Sequence, residues 1–139
     1  QACAPLRVYF SGPLGAGKSS LIRAFLRALG VQGTIKSPSY ALVEPYVLSN
    51  FSVYHFDFYR FFDQNEWVDS GFRDYFEESA ICLVEWPEKA AEFLPTADLF
   101  FTLAYANDGS KEDDVSQART IRVEAFSGLG ETILQQLTE

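Results

Sequence analysis

A chain of 139 residues with 47% hydrophobic content and 13 Phe, 7 Tyr and 2 Trp has the length of one domain and enough apolar material for a buried core. That composition excludes disorder as a description of the whole, and no apolar run approaches the roughly 18 residues of a membrane span. A net charge of −8, with dense runs that are all acidic (Glu77-Glu78 and Glu112-Asp113-Asp114), excludes a protein that grips a phosphate backbone unaided.

Residues Gln1 to Arg7 carry no basic stretch followed by an apolar one, so a secretory leader is not expected. The chain opens on Gln1 and contains no Met, which points to a native start further upstream. Cys3 and Cys82 form no Cys-x-x-Cys and read as two free thiols, the second in a buried strand, in a reducing, cytoplasmic compartment.

Leu6 to Phe10 is a short β-type run that leads straight into the glycine-rich Ser11 to Gly17. Leu21, Ile22, Phe25, Leu26 and Leu29 then recur at helical spacing, and Gly30 sits where a left-handed cap ends a helix. Tyr40 to Leu48 and Phe51 to Phe58 read as a hairpin turning at Ser49-Asn50, with Pro45 marking an edge strand or bulge. In the second run Ser52, Tyr54, Phe56 and Phe58 share one face, and Val53, His55 and Asp57 the other. Asp63 and Glu66 have capping-box spacing for a short helix, which Gly71 interrupts before Phe72 to Phe76. Ala80 to Val84 is a continuous apolar run, expected of a central strand, and a helix is expected from Glu85-Trp86-Pro87-Glu88 to Phe93. Asp98 to Tyr105 and Arg119 to Phe126 are two more strands joined by the acidic connector Ala106 to Ala118, and Gly130 to Leu137 makes a closing helix. No linker divides residues 1–139, so the expectation is a single domain with a three-layer α/β fold.

Gly12-Pro-Leu-Gly15-Ala16-Gly17-Lys18-Ser19 is an intact G-x-x-x-x-G-K-[ST], flanked by strand and helix as its chemistry requires. Glycines let successive backbone N–H groups face phosphate oxygens, and the following helix aims its positive end at the same anion. Lys18 would reach the β- and γ-phosphates, Ser19 would ligate Mg²⁺, and Ser20 would add a donor near the α-phosphate. Two acids are candidates for holding the metal and orienting water. Glu85 ends an apolar strand, and Asp57 stands alone in an aromatic one. Surface exposure at a strand end is the alternative for both. His55, the single histidine, reads as structural rather than catalytic. Ser37 to Tyr40 suits a nucleotide-sensing loop, and an ordinary turn fits equally well. Trp67, Phe72, Tyr75 and Phe76 read as core, with a partner surface as the alternative.

The ordered set Gly12 to Ser19, Lys36-Ser-Pro-Ser-Tyr40, Leu42-Val-Glu-Pro-Tyr46, Tyr54-His-Phe-Asp-Phe-Tyr-Arg60, Gly71 to Phe76 and Ile81-Cys-Leu-Val-Glu-Trp-Pro87 resembles the TsaE family of bacterial P-loop ATPases, formerly YjeE. The resemblance implies a P-loop NTPase-like fold with a mixed central sheet. It also implies Mg²⁺-dependent ATP hydrolysis that resets a TsaB–TsaD complex, which places threonylcarbamoyl on the tRNA adenosine beside the anticodon. By motif, Lys18 and Ser19 take the phosphate and Mg²⁺ roles, and Asp57 and Glu85 flank the metal and the attacking water. The implied catalytic set is Lys18, Asp57 and Glu85; the metal set is Ser19, Asp57 and Glu85. ATP would be bound by Gly12, Gly15, Ala16, Gly17, Lys18, Ser19 and Ser20, with Arg119 carried over at the base. The tRNA would be held only through the partners, with no membrane involved. Three features depart from the family pattern: Ser19 and Ser39 stand where Thr is frequent, only 11 residues precede Gly12, and Ala118-Arg119 replaces a Gly-Arg. The competing class is a small-molecule or nucleotide kinase, which would need an Arg-rich lid that this chain does not display. A third class is an ATP-gated assembly factor in which hydrolysis is incidental.

Overall fold

Alternation along the strands gives each a face for a separate apolar cluster, and the helices close over both. The computed structural model describes residues 5–13, 16–38, 42–61, 63–105 and 119–137. β1 (Leu6–Ser11) leads through the glycine loop into α1 (Lys18–Leu29). Then come β2 (Val43–Val47), β3 (Ser52–Asp57), α2 (Gln64–Asp69), α3 (Phe72–Glu77) and β4 (Ala80–Glu85). β5 (Leu99–Tyr105), β6 (Arg119–Ala125) and α4 (Gly128–Leu137) complete the order. The six strands form one sheet in the order β2-β3-β4-β1-β5-β6, parallel through β3, β4, β1 and β5 and antiparallel at both margins.

Val8, Phe10, Val53, Leu83, Leu99 and Phe101 pack on one face with Ile22 and Leu26 of α1 and with α4, whose Ile133 and Leu134 lean on the cluster. Tyr54, Phe56, Val84 and Cys82 pack on the other with Trp67, Phe72 and Phe76 of α2 and α3. This is the expected three-layer arrangement around a mixed sheet. The continuous apolar run of β4 is explained by its position, between β3 and β1 and covered on both faces.

Local signals act where the sequence places them. Gly30 caps α1 at φ 112°, its N–H bonding the carbonyls of Leu26 and Arg27. The Asp63 side chain accepts the Glu66 N–H at 3.1 Å and starts α2. Pro45 lies on the edge strand β2, where its missing N–H costs no ladder bond within the sheet. The aromatic group is core: Trp67, Phe72 and Phe76 are buried, so the partner-surface alternative fails for these three.

Two expectations need correction. The helix anticipated to reach Phe93 is only a 3₁₀ turn, Pro87–Ala90, because Trp86 is left-handed at φ 57° and Lys89 and Phe93 close i→i+3 bonds to Trp86 and Ala90. α4 starts at Gly128, earlier than Gly130, because the Ser127 hydroxyl accepts the Gly130 N–H at 2.9 Å and caps the helix. The acidic connector Ala106 to Ala118 lies outside the described residues.

Candidate functional site

β1 ends at Ser11, and at Gly12 the backbone takes φ 151° with no room for a side chain: a Cβ there would stand 2.5 Å from the Leu103 carbonyl oxygen of neighbouring β5. Ala16, buried, donates its N–H to Pro13 O at 3.2 Å, and Gly17 caps α1 in the left-handed region at φ 101°. No side chain caps this helix and its first turn holds no acid. The first N–H groups and the positive end of the dipole are therefore directed at whatever anion enters the loop.

Lys18, the first residue of α1, is buried, and its ammonium donates to the Gly12 carbonyl and, at 3.4 Å, to that of Pro13. It also lies 3.8 Å from the centroid of the Trp86 ring. Burial pulls the Lys18 ammonium below the usual lysine range, and Glu85, Glu88 and Asp57 oppose that shift.

The two acids come together through strand pairing. β3 and β4 run parallel with Asp57 in register with Glu85, so both carboxylates emerge at the carboxyl end of the sheet beside the glycine loop. Phe58 N–H donates to the Glu85 carbonyl at 3.1 Å, fixing the exit of β3 against the end of β4. Asp57 is half-buried and Oδ1 accepts the Tyr59 N–H at 3.0 Å. Burial raises the Asp57 carboxyl above the ordinary carboxylate range; the Tyr59 hydrogen bond opposes this, and the neighbouring charge of Glu85 adds to it. Glu85 is only 4% exposed, yet both of its oxygens have polar neighbours. Oε1 accepts from Ser19 Oγ at 3.4 Å, and Oε2 lies 2.8 Å from His55 Nε2.

Lys18, Ser19, Ser20, Asp57 and Glu85 therefore line one cleft of about 650 Å³, whose other walls include Trp86, Tyr59, Leu103 and Ile121. Gly15 lies outside the described residues, as do Ser39 and Tyr40 of the suggested sensing loop. Ser37 is exposed, Pro38 is buried, and neither lines the cleft. Arg119 opens β6 opposite Tyr105, and its side chain is outside the described residues.

Two participants escaped sequence reasoning. Trp86 roofs Lys18 because of its left-handed backbone, which no local residue pattern announces. His55 reaches Glu85 because β3 and β4 are parallel neighbours; the His-x-Asp spacing put it on the correct face, but the pairing had to be known.

Among the described residues no three His, Cys, Asp or Glu side chains are arranged to hold a metal ion by themselves. Two carboxylates and a hydroxyl are hard oxygen donors that suit Mg²⁺ when phosphate oxygens and water complete its shell. No helix among the described residues is long and apolar enough to cross a membrane.

Known proteins resemble this chain in sequence and fold. Residues 1–115 match the family model described as threonylcarbamoyl adenosine biosynthesis protein TsaE. The tRNA threonylcarbamoyladenosine biosynthesis protein TsaE of Haemophilus influenzae is 43% identical over 129 residues, spanning 93% of this chain and 76% of that protein. Its namesake in Bacillus subtilis is 35% identical over 101 residues, 73% of this chain and 63% of that protein. Among solved structures, that titled crystal structure of Bacillus subtilus YdiB superposes with a TM-score of 0.76 at 26% identity, covering 99% of this chain and 79% of that one. The cleft at the carboxyl ends of β1, β3 and β4 is thus that of a chain belonging to the TsaE family.

Proposed function

We propose that this chain is a Mg²⁺-dependent ATPase that serves tRNA threonylcarbamoyladenosine formation as the accessory to a TsaB–TsaD complex in the cytoplasm. The observation that carries this reading is the convergence of three separated segments. The glycine loop with Lys18 and Ser19, the end of β3 with Asp57 and the end of β4 with Glu85 meet in one cleft, with Glu85 Oε1 at 3.4 Å from Ser19 Oγ.

The uncapped start of α1 and the Lys18 ammonium receive the β- and γ-phosphates. Ser19, Asp57 and Glu85 would hold Mg²⁺, which when bound neutralises charge developing on the phosphate oxygens. Glu85 and Asp57 also offer acceptor oxygens to a water positioned for attack. Glu85, at 4% exposed, is shielded from bulk water. Trp86 covers the Lys18 end of the cleft and limits bulk water there.

Lys18 is the one cation among the described residues that line the cleft. A P-loop site with water-orienting acids and no lining arginine hydrolyses slowly unless a partner completes it, which raises turnover by about 10³–10⁵-fold in well-studied cases. Partner stimulation is therefore part of the proposal. With a net charge of −8, long-range repulsion makes the partners, rather than this chain, the holders of tRNA. Steady-state ATP turnover with and without the TsaB–TsaD pair tests the reading, with Glu85→Gln as the control. The expected result is weak activity alone, clear stimulation in the complex and loss of turnover in Glu85→Gln with ATP binding retained. Full activity alone, or an unaffected Glu85→Gln, overturns it; ADP formation that depends on a phosphoryl acceptor favours a kinase instead.

A further inference from the structure

Glu85 divides its two oxygens between different partners. Oε1 lies toward Ser19 and the cleft at 3.4 Å, whereas Oε2 is turned inward to His55 Nε2 at 2.8 Å. Both side chains of that inward contact are almost fully enclosed, His55 at 4% exposed and Glu85 at 5%. An ionised carboxylate only accepts, so Nε2 carries the hydrogen and donates. Nδ1 has no hydrogen-bond partner among the described residues.

This is an expensive way to fill a core position. Val53, two residues before His55 on the same face of β3, and Leu83, its register partner on β4, belong to the apolar cluster beneath α1. Leu or Phe at position 55 would pack there without an orphaned nitrogen. The terminal torsion of a glutamate is broad and nearly two-fold, so packing alone does not settle which way its oxygens face. A donor fixed to one oxygen does.

We infer that His55 is a positioning residue for the site: its Nε2–H holds Oε2 of Glu85 so that Oε1 stays presented to Ser19 and the cation end of the cleft. The inference rests on the proposal that Ser19 and Glu85 serve a bound Mg²⁺ and water. Hydrogen bonds to a ligating carboxylate from beyond the coordination shell typically carry about 10- to 100-fold in metal affinity or activity.

Three substitutions separate positioning from bulk. His55→Gln carries its amide N–H to about the reach of Nε2, His55→Asn is too short to meet Oε2, and His55→Phe keeps a ring without a donor. Calorimetric titration of ADP with and without Mg²⁺ is read together with the Mg²⁺ half-saturation, kcat and KM of ATP turnover. In the Asn and Phe variants the Mg²⁺ half-saturation should rise and kcat should fall by about 10- to 100-fold. Metal-free ADP affinity and the KM for ATP should stay near native, and His55→Gln should restore most of the loss. If His55→Phe fails to fold, the Asn and Gln pair decides. A native Mg²⁺ requirement in the Asn variant, or a Gln variant as defective as Asn, overturns the inference. Indifference to Mg²⁺ in the unsubstituted protein would refute the metal reading itself, a separate and recognisable failure that takes the inference with it.

Discussion

Lys18→Ala is the substitution whose consequence follows most directly from the geometry. The Lys18 ammonium rests on the carbonyls of Gly12 and Pro13 and against the Trp86 ring. On binding, a phosphate replaces neutral acceptors with a charged one at the start of an uncapped helix. A charge-assisted hydrogen bond contributes about 1.5–3 kcal/mol net, and a partly buried cation–π contact about 0.5–2 kcal/mol. A ring contact kept on binding contributes equally to both states and cancels, so Lys18→Ala removes the first contribution in full. The expected range therefore has its upper end near 3 kcal/mol, and a loss of about 1.5–3 kcal/mol is a 10- to 150-fold weakening of Mg·ATP. AMP has no β- or γ-phosphate, so its affinity should change by less than about threefold, a difference under 0.7 kcal/mol. Isothermal titration of both nucleotides against native and variant protein checks the pair. An unchanged Mg·ATP affinity in a variant that melts normally, or an equal loss for AMP, refutes the assignment of Lys18 to the terminal phosphates.

Other perturbations address different parts of the molecule. Gly12→Ala drives a Cβ against the Leu103 carbonyl oxygen, and strain of about 1–3 kcal/mol should lower the melting temperature by roughly 3–15 °C in calorimetry; a native melting temperature would show that β1 and β5 part easily at this point. Asp57→Asn should stabilise the nucleotide-free protein at neutral pH while abolishing turnover. Because burial raises the Asp57 carboxyl in the folded chain, ionisation weakens the fold as pH rises from the ordinary 3.8 through the shifted value. The variant's thermal advantage should therefore be present at pH 7 and fade toward pH 3.8, and a lower melting temperature than native at pH 7 would contradict it. Burial also pushes the Cys82 thiol up from 9.0 to about 12. In a Cys3→Ser background, alkylation at pH 8 should run at least about 10³-fold slower than in the unfolded chain, which timed mass spectrometry can follow.

Elements announced by local chemistry were legible in the sequence. The glycine loop, the Gly30 cap, the Asp63 cap and the apolar run of β4 each carry a short-range signal, and each stands where it was expected. The site was legible in its members more than in its geometry. Asp57 and Glu85 could be named as acids at strand ends, but their adjacency depends on a parallel pairing formed by residues far apart in the chain. The same pairing converts His55 from an ordinary core histidine into the partner of Glu85. Trp86 was hidden for another reason. A left-handed tryptophan contradicts its own backbone preference and is sustained by the surrounding fold, with Tyr59 at 5.0 Å from its ring and Lys18 beneath it. Ser127 caps α4 without a capping-box partner, since Gly130 stands at the third helical position.

The cleft is assembled on β3, β4 and β1, which lie side by side in the interior of the sheet. These strands can lose their mutual hydrogen bonds only when neighbours on both sides also release them, so their amides exchange with solvent chiefly through opening of the whole molecule. A nucleotide held there has no binding site in the unfolded chain, and at 100 times its dissociation constant it deepens the native well by about 2.7 kcal/mol. That gain slows deuterium uptake in the middle of the sheet by the same factor, about 100-fold. The margin strand β2, paired on one side only among the described residues, keeps its own faster clock. Occupancy of the site is thus written into the slowest exchanging amides of the protein.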